Sequence, residues 1–356
     1  MKLYNLLLLY PLFMSVYWII GTLYYALLRE IKNKNEPTYK TYGEGISFLI
    51  PCYNEEETIE DTIKNVLNLE FPNKQIIVIN DGSSDDSEKV VSKLKEKLDF
   101  VFVNLEENNG KANALNEGIK YATYDYVMGI DADTIIDEKA PYFMIENFKK
   151  NSNLAAVTGN PRIRNKSSIL GKIQTIEYAS MVGSIKRTQS IAGKINTISG
   201  VFTLFKKEAV EKVGKWDIDM ITEDIAISWK FHIDKFQIKY EPRALCWMLV
   251  PETIGGLWKQ RVRWAQGGQE VLIRDFKKGI KSFNFPLYFL LFEQIFSLIW
   301  VYCVVLLLGL TIINANFLDI YYLEYQFTII ILSAFVLTFI NTCLLYTSPS
   351  PRDKRQ

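Results

Sequence analysis

The apolar residues of this chain gather at its two ends, and most of the charged residues lie between them. The first apolar segment runs from Tyr4 to Leu28. At about 1.5 Å per residue it is long enough to cross a hydrocarbon core of about 30 Å. A cleaved signal peptide fits less well, because the segment is too long and lacks a small-x-small cleavage site. We therefore predict a retained membrane anchor over residues 1–30.

Two further apolar stretches follow the charged middle, from Phe285 to Ile313 and from Phe327 to Leu345. Glu293 and the glutamine after it interrupt the first of these, which favours an interfacial helix up to Phe296 and a membrane span from Ile295. We therefore predict an interfacial helix and two transmembrane helices over residues 283–345.

The basic residues predict how the chain is oriented. Lys and Arg follow the first span and precede the second, whereas the link 314–324 has none. This pattern predicts a multi-pass protein of a bacterial plasma membrane, bound to membrane lipid, with residues 43–282 as a cytoplasmic domain. The tail 346–356 is polar and proline-containing. A natural cytoplasmic end is one interpretation, and a non-native end is the one we favour.

Short apolar runs alternate with amphipathic segments in the middle domain, which predicts an α/β fold with a mostly parallel sheet. Ligands bind at the carboxyl ends of the strands in such sheets. The predicted strands are Ile46–Pro51, Gln75–Asp81, Phe100–Leu105, Tyr126–Asp131 and Leu154–Thr158. The predicted helices are Glu56–Leu69, Asp85–Leu98, Lys111–Tyr121, Pro141–Lys150 and Ile225–Asp234.

Several classes of chemistry are disfavoured by the composition. The net charge of +1 gives no overall field for nucleic acid, so no nucleic-acid partner is expected. The four cysteines lie far apart, which disfavours a zinc site or a disulfide framework. His232 is the only histidine and is predicted to lie on the surface, so acid–base chemistry must depend on carboxylates.

Acidic and amide residues follow the first two predicted strands, at Cys52–Glu56 and at Asp81–Asp85. A carboxylate such as Asp81 suits the base or ribose of a nucleotide. Helix N-caps are the alternative, since Asn and Asp favour that position in any fold.

A third strand ends in two carboxylates, Asp131 and Asp133. Hard oxygen donors suit Mg²⁺ or Mn²⁺, which would bridge the protein to a diphosphate and neutralise its charge. Lys111 opens a predicted helix nearby, where it could reach a phosphate or could equally be a solvated lysine.

Thr222-Glu223-Asp224 precedes another helix, and Gln260-Arg261-Val262-Arg263-Trp264 lies in a segment from Ile254 to Arg274 that leads into the membrane. The first motif offers a general base or only a helix cap. The second offers a guanidinium for phosphate and an indole face for a sugar, or only a membrane-interface anchor.

These motifs, in this order, resemble the family 2 glycosyltransferases with a GT-A-type nucleotide-sugar domain. The segments GNPRIRNKSSILGKIQTIEYAS, NTISGVFTLFKK, MITEDIA and MLVPETIGGLWKQRVRWAQGG are similar to the staphylococcal-type poly-beta-1,6-N-acetylglucosamine synthases of biofilm exopolysaccharide. The resemblance implies an inverting, processive hexosyltransferase that takes UDP-N-acetylglucosamine and extends a growing polysaccharide. It also implies a small transmembrane accessory subunit, and relatives continue into a further membrane segment at the carboxyl end.

The resemblance further implies a role for each motif residue. Asp224 is the catalytic base, with Glu223 the next candidate, and Arg263 stabilises the diphosphate. The residues implied to hold the nucleotide sugar are Pro51, Tyr53, Glu55, Asp81, Lys111 and Asp131. Asp131 and Asp133 hold the metal. The acceptor or polymer is implied to meet Gln260, Trp264, Ser199 and Gly200.

Three alternatives remain open on the sequence alone. Hyaluronan-, chitin- and cellulose-type synthases use the same motifs. A lipid-phosphate sugar transferase that adds one sugar is a second, although the Gln-x-x-Arg-Trp motif is not expected there. A membrane scaffold with an inactive catalytic domain is a third, and the intact Asp131, Asp133, Asp224 and Arg263 argue against it.

Overall fold

The structure is a computed structural model that describes residues 3–30 and 43–313. The predicted link 314–324, the third apolar stretch and the tail 346–356 lie outside the described residues. The chain divides into two compact units. One, here called the helical unit, comprises residues 1–34, 176–192 and 288–356; the other, the sheet unit, comprises 35–175 and 193–287.

An eight-stranded sheet forms the centre of the sheet unit, with strand order β3-β2-β1-β4-β7-β6-β8-β5. The strands β1 to β4 are parallel to one another, β7 is antiparallel to both β4 and β6, β8 is parallel to β6, and β5 is antiparallel to β8. The strands are β1 Ile46–Cys52, β2 Lys74–Asp81, β3 Val101–Leu105, β4 Tyr126–Ile130, β5 Ile135–Ile136, β6 Leu154–Ile163, β7 Phe202–Lys206 and β8 Gln237–Met248.

Helices within the sheet unit connect these strands. A core of buried apolar side chains from β1, β2, β4, β6 and β7 packs against α2 and α5. The helices are α1 Leu3–Tyr25, α2 Ile59–Leu67, α3 Ser87–Lys95, α4 Lys111–Gly118, α5 Ala140–Lys149, α6 Ile169–Ser180, α7 Lys186–Ile191, α8 Lys207–Lys212, α9 Glu223–Ile233, α10 Ile254–Lys281 and α11 Phe285–Ile313.

The predicted α/β fold with a mostly parallel sheet is confirmed. Each of the five predicted strands is present, with bounds that shift by one residue in the first four and by five in β6. The strands β5, β7 and β8 were not among the predicted ones. The antiparallel direction of β7 could not be predicted from its own residues either, because direction follows from the connections on either side.

Side-chain contacts join the first two segments of the helical unit. Thr22 of α1 and Ser184 share a hydrogen bond of 2.6 Å between their hydroxyl oxygens. Arg187 of α7 pairs with Glu30 at 2.8 Å. Such pairs satisfy polar groups that a hydrocarbon environment would leave without partners.

The helix α11 runs without a break from Phe285 to Ile313. The expected boundary near Glu293 is therefore not visible as an interruption of the helix. The Glu293 carboxylate is buried and accepts a hydrogen bond of 3.3 Å from the Gln189 amide, so the polar residue is accommodated inside the helical unit. By length and composition, Leu9–Glu30 and Phe285–Leu306 could each cross a membrane.

His232 is fully buried in the sheet unit, and its predicted surface position is wrong. Its Nε2 lies 2.7 Å from the carbonyl oxygen of Ile195, which fixes the ring on the inner side of α9. Burial lowers the pKa of His232 to about 3, so the imidazole is neutral at pH 7. The residue is a packing element of the core.

Candidate active site

The carboxyl ends of β1, β2 and β4 meet at one edge of the sheet, because β1 is parallel to both neighbours. In the register of these strands, Cys52 lies opposite Asn80, and Leu49 lies opposite Gly129. The polar residues that follow each strand therefore enter the same region. This is the edge at which parallel sheets bind ligands, as predicted from the sequence.

Asp81, at the end of β2, organises the loop that leads into α4. Its carboxylate accepts hydrogen bonds from the backbone amides of Asn109, at 3.2 Å, and Gly110, at 2.9 Å. Gly110 has a φ of +87°, a conformation that favours glycine. Asp81 is therefore not a helix N-cap. Its two hydrogen bonds position the loop residues that precede Lys111, the first residue of α4.

Asp85, four residues later, does serve a turn. One of its oxygens accepts the amide of Ser87 at 3.0 Å, and the other accepts the amide of Glu56 at 3.2 Å. Asp85 therefore stabilises the turn that precedes α3. The N-cap position of α3 is Asp86, whose side chain makes no capping hydrogen bond, so neither Asp81 nor Asp85 is a helix cap.

Lys111 lies among the acidic motif residues. Its Nζ contacts the Asp131 carboxylate, lies 3.0 Å from the carbonyl oxygen of Gly200 and 3.4 Å from Oε1 of Glu223. Burial opposes the ammonium charge, but Asp131 and Glu223 outweigh burial and raise the pKa of Lys111. Lys111 is thus no free surface lysine; it joins the D-x-D motif to the T-E-D motif.

Asp133 lies in the same region, and its negative charge is neutralised less than that of Asp131, which contacts Lys111. Burial, with the nearby carboxylates of Asp131 and Glu55, raises the pKa of Asp133 to about 6. One of its oxygens accepts the backbone amide of Leu249 at 3.3 Å. Burial and Asp131 also raise the pKa of Glu55, whose carboxylate accepts the Thr58 hydroxyl at 2.5 Å. Negative charge therefore accumulates at this edge of the sheet.

The loop before β7 faces Asp224. A Cβ placed on Gly200 would lie 3.2 Å from Oδ2 of Asp224 and 3.4 Å from the Lys111 ammonium, so a side chain here would enter the acidic cluster. The loop is held by the Thr158 hydroxyl, which accepts the amide of Ser199 at 2.7 Å. The Ser228 hydroxyl of α9 accepts a hydrogen bond of 3.2 Å from the preceding backbone amide, that of Ile198. The structure thus brings Ser199 and Gly200 beside the T-E-D motif.

Thr222 occupies the N-cap position of α9, but its side chain makes no capping hydrogen bond. It is buried against α10 instead: a Cβ on Gly267 would lie 2.3 Å from the Thr222 hydroxyl oxygen. Gly267 therefore allows α10 to approach the T-E-D motif closely. Gln260 and Trp264 lie seven and three residues before Gly267, on the same face of the helix.

We predict that Gly267→Ala destabilises the protein and lowers its activity. The added methyl meets the short, β-branched Thr222, and overpacking of this kind costs about 1–3 kcal/mol. Gly268→Ala is the matched control, because its Cβ would lie 3.8 Å from Ile225 and a helical alanine gains up to about 1 kcal/mol. Thermal unfolding of the purified protein in detergent compares them. Equal melting temperatures for the two variants would contradict this account of the contact.

The Gln-x-x-Arg-Trp motif lies near the start of α10. The guanidinium of Arg261 stacks over the Trp264 ring, 4.2 Å from its centroid. Arg263 is exposed and makes no ion pair within the described part of the chain. The structure therefore does not bring Arg263 into the acidic cluster, and its predicted contact with a diphosphate stays a prediction. Tyr53, after β1, is likewise exposed, and Pro51 lies within β1 opposite Ile79.

The donor set fits a divalent cation such as Mg²⁺ or Mn²⁺. Asp131 and Asp133 offer hard oxygen ligands. Burial first, and then the nearby carboxylates of Asp131 and Glu55, raise the pKa of Asp133, and a bound cation would favour its ionised form. Within residues 3–30 and 43–313, no group of three or more His, Cys, Asp or Glu residues is arranged to hold a metal. Phosphate oxygens and water would therefore complete the coordination, as is usual for Mg²⁺.

Sequence reasoning missed two supports of this site. Thr158 and Ser228 hold the loop before β7, and Gly267 lets α10 approach Thr222. The hydroxyl residues carry no distinctive signal in sequence. Gly267 has a weak one, since two adjacent glycines inside a long helix have a helix-propensity cost that implies a packing reason.

Comparison with known proteins gives one matching family model and relatives that share most of the chain. The family model "Glycosyl transferase family 2" matches residues 47–214. The chain is 62% identical over 349 residues to a poly-beta-1,6-N-acetyl-D-glucosamine synthase of Staphylococcus epidermidis, an alignment that covers 96% of this chain and 84% of the relative. A synthase of the same name from Staphylococcus aureus (strain COL) is 65% identical over 312 residues, covering 87% and 76%.

Among solved structures, a mannosyltransferase from Pyrobaculum calidifontis in complex with GDP-Man and Mn²⁺ is similar in fold. It aligns with a TM-score of 0.62 and 19% identity, covering 94% of this chain and 98% of that one. At this identity the likeness concerns the fold alone.

Proposed function

Because this chain belongs to glycosyltransferase family 2, we propose that it polymerises N-acetylglucosamine from UDP-N-acetylglucosamine into a β-1,6-linked exopolysaccharide at the membrane. The observation that carries the proposal is the convergence of Lys111, Asp131, Glu223 and Gly200 at the carboxyl ends of the strands. Identity of 62–65% to synthases of that polymer supports this donor and linkage over hyaluronan-, chitin- or cellulose-type synthesis.

In the proposed reaction the acceptor 6-hydroxyl attacks C1 of the donor sugar in a single displacement. Asp224 accepts the hydroxyl proton, and UDP leaves from the opposite face, so the α-linked donor becomes a β-linked unit. The absence of a side chain at Gly200, beside Asp224, leaves space for the hydroxyl. No covalent sugar–enzyme bond is needed.

Other residues of the site bind and orient. Asp81 shapes the loop from Asn109 to Lys111 against which the uridine or ribose would lie, and Lys111 supplies a positive charge for the diphosphate. Asp131 and Asp133 would hold a divalent cation, which when bound neutralises charge on the leaving UDP. Trp264, with Arg261 on one face of its ring, would contact the acceptor sugar through its other face.

The proposed topology places residues 43–282 in the cytoplasm, where UDP-sugars are made. The two helices able to cross a membrane and the basic residues that flank them support it. Exposed apolar side chains on α1 and α11, such as Phe13, Ile20 and Val305, are available to lipid or to a small transmembrane accessory subunit.

Radiolabelled UDP-sugars supplied to membrane vesicles test donor, product and topology together. We expect inside-out vesicles to incorporate label from UDP-N-acetylglucosamine into a polymer that a β-1,6-specific hydrolase degrades. Right-side-out vesicles, whose active site the charged donor cannot reach, should incorporate little. Label in a single sugar on lipid, or a polymer that only a chitinase or a hyaluronidase degrades, would favour one of the alternative activities.

A further inference from the structure

The position of the Lys111 ammonium conflicts with a site in which Asp131 binds only a metal ion. Its ammonium contacts Asp131, the first carboxylate of the D-x-D motif. A bound cation and this ammonium compete for the same carboxylate. Both groups of the pair are largely shielded, with three-tenths of each side chain exposed, so the pair is stronger than a solvated one.

The surroundings explain why a positive charge is stabilised here. Asp131, Asp133, Glu55 and Glu223 all contribute negative charge to this edge of the sheet. The Gly200 carbonyl oxygen adds a further acceptor 3.0 Å from the lysine Nζ. An ammonium on a flexible stem satisfies these groups when no other cation is bound.

We propose that Lys111 is an internal counter-ion that occupies the metal-binding carboxylate until a nucleoside diphosphate arrives, so that metal and nucleotide bind together. The proposal rests on the proposed function, because it assigns the diphosphate to this same site. When the diphosphate enters, its oxygens offer the ammonium a second set of negative partners. Lys111 then transfers from Asp131 to the phosphate, and Asp131 becomes available to the cation.

The backbone supports a movement of the side chain alone. Lys111 is the first residue of α4, and Asp81 fixes the two residues before it through their amides. The amide of Ala114 donates to the Gly110 carbonyl at 3.1 Å, which closes the first turn. The start of the helix is therefore anchored, whereas the four-carbon stem of lysine is flexible.

The proposal predicts opposite effects on the two ligands when the charge of Lys111 is removed. Metal binding without nucleotide becomes tighter, because no ammonium competes for Asp131. Nucleotide binding in the presence of metal becomes weaker, because the phosphate loses a cationic partner. A structural role for Lys111 would weaken both.

Mn²⁺ binding to the purified full chain, followed by the electron paramagnetic resonance signal of free Mn²⁺, tests this with UDP as the second ligand. We expect Lys111→Met to bind Mn²⁺ alone about 5- to 150-fold more tightly than wild type, the usual range of coupling between sites. Its affinity for UDP at saturating Mn²⁺ should fall. Lys120→Met is the matched control: this lysine pairs with Glu117 on the surface and should change neither affinity.

Unchanged or weaker binding of Mn²⁺ alone by Lys111→Met would overturn the proposal. If the methionine variant does not fold, Lys111→Gln replaces it in the same comparison, and Lys111→Arg, which keeps the charge, should behave like wild type. A wild-type protein that binds neither UDP nor Mn²⁺ would count against the proposed function itself. Binding of both without the opposite shifts in the variant would count only against the role of Lys111.

Discussion

Asp224→Asn is expected to lower the rate of polymer formation by a factor of about 10² to 10⁴, the usual contribution of a general base. Asparagine keeps the size and shape of the side chain but cannot accept the acceptor's proton. The affinity for UDP should barely change, because the lost interaction matters mainly in the transition state. Rates of label incorporation and calorimetric titration with UDP measure the two effects separately.

Asp219→Asn is the matched control, since Asp219 is exposed and precedes the T-E-D motif in the same loop. Near-normal polymerisation by Asp224→Asn would reduce Asp224 to a helix-terminal acid. Glu223, whose Oε1 lies 3.4 Å from the Lys111 ammonium, would then become the candidate base.

Asp133→Asn is expected to weaken Mn²⁺ binding in the presence of UDP by more than about 100-fold, beyond what loss of a residue that only supports a ligand causes. Polymer formation should fall with it and recover in part at high metal concentration. Chelation of the metal in the wild type should stop synthesis. Asp125→Asn is the control, because Asp125 is exposed at the opposite end of β4.

The affinity of the wild type for Mn²⁺ without nucleotide is also expected to depend on pH. The pKa of Asp133 is raised to about 6, so a proton competes with the metal below that pH. The affinity of the wild type should rise with pH up to about 6 and then level off. Asp133→Asn should lose this dependence, and a wild-type affinity that is flat from pH 5 to 7 would exclude Asp133 as a ligand.

The raised pKa of Asp133 also affects the stability of the protein without metal. Between about pH 4 and pH 6, folded Asp133 retains a proton that the unfolded chain has released, so its contribution to stability falls as pH rises through that window. Bound metal reverses the trend, because the cation favours the ionised carboxylate. The gain in melting temperature from Mn²⁺ and UDP should therefore be larger at pH 7 than at pH 5.

The sequence was most informative where a residue type and its place on a strand coincide. Asp131 follows an apolar run that favours a buried strand, and the parallel order of β1, β2 and β4 brings the residues after these strands to the same edge. Motif order then related Asp224 to this edge, although β4 and α9 are far apart in sequence. The strand-end position of Asp131 needed only periodicity and the geometry of α/β sheets, whereas the place of Asp224 followed from the resemblance to a known family.

Features that depend on long-range packing could not be predicted in this way. His232 lies on a helix whose outward and inward faces look alike in sequence, and only the position of Ile195 explains its burial. The contact of Lys111 with Asp131 depends on a rotamer, and the pairing of Arg261 with Trp264 depends on which face of α10 is covered. Sequence spacing does not constrain the first contact, and for the second it only places Arg261 and Trp264 on neighbouring turns of α10.

The reversed direction of β7 has a consequence for how enzymes of this kind diversify. Because β7 is antiparallel to β4, its first residue lies beside the last residue of β4, and the Asp131 amide donates to the Val201 carbonyl at 3.3 Å. Under the proposed function, the donor-binding carboxylates and the acceptor loop are therefore neighbours in space but are inherited on separate stretches of chain. Exchange of residues 196–201 between relatives would alter the choice of acceptor while every strand pairing stays intact. New polymers can thus evolve on an unchanged donor chemistry.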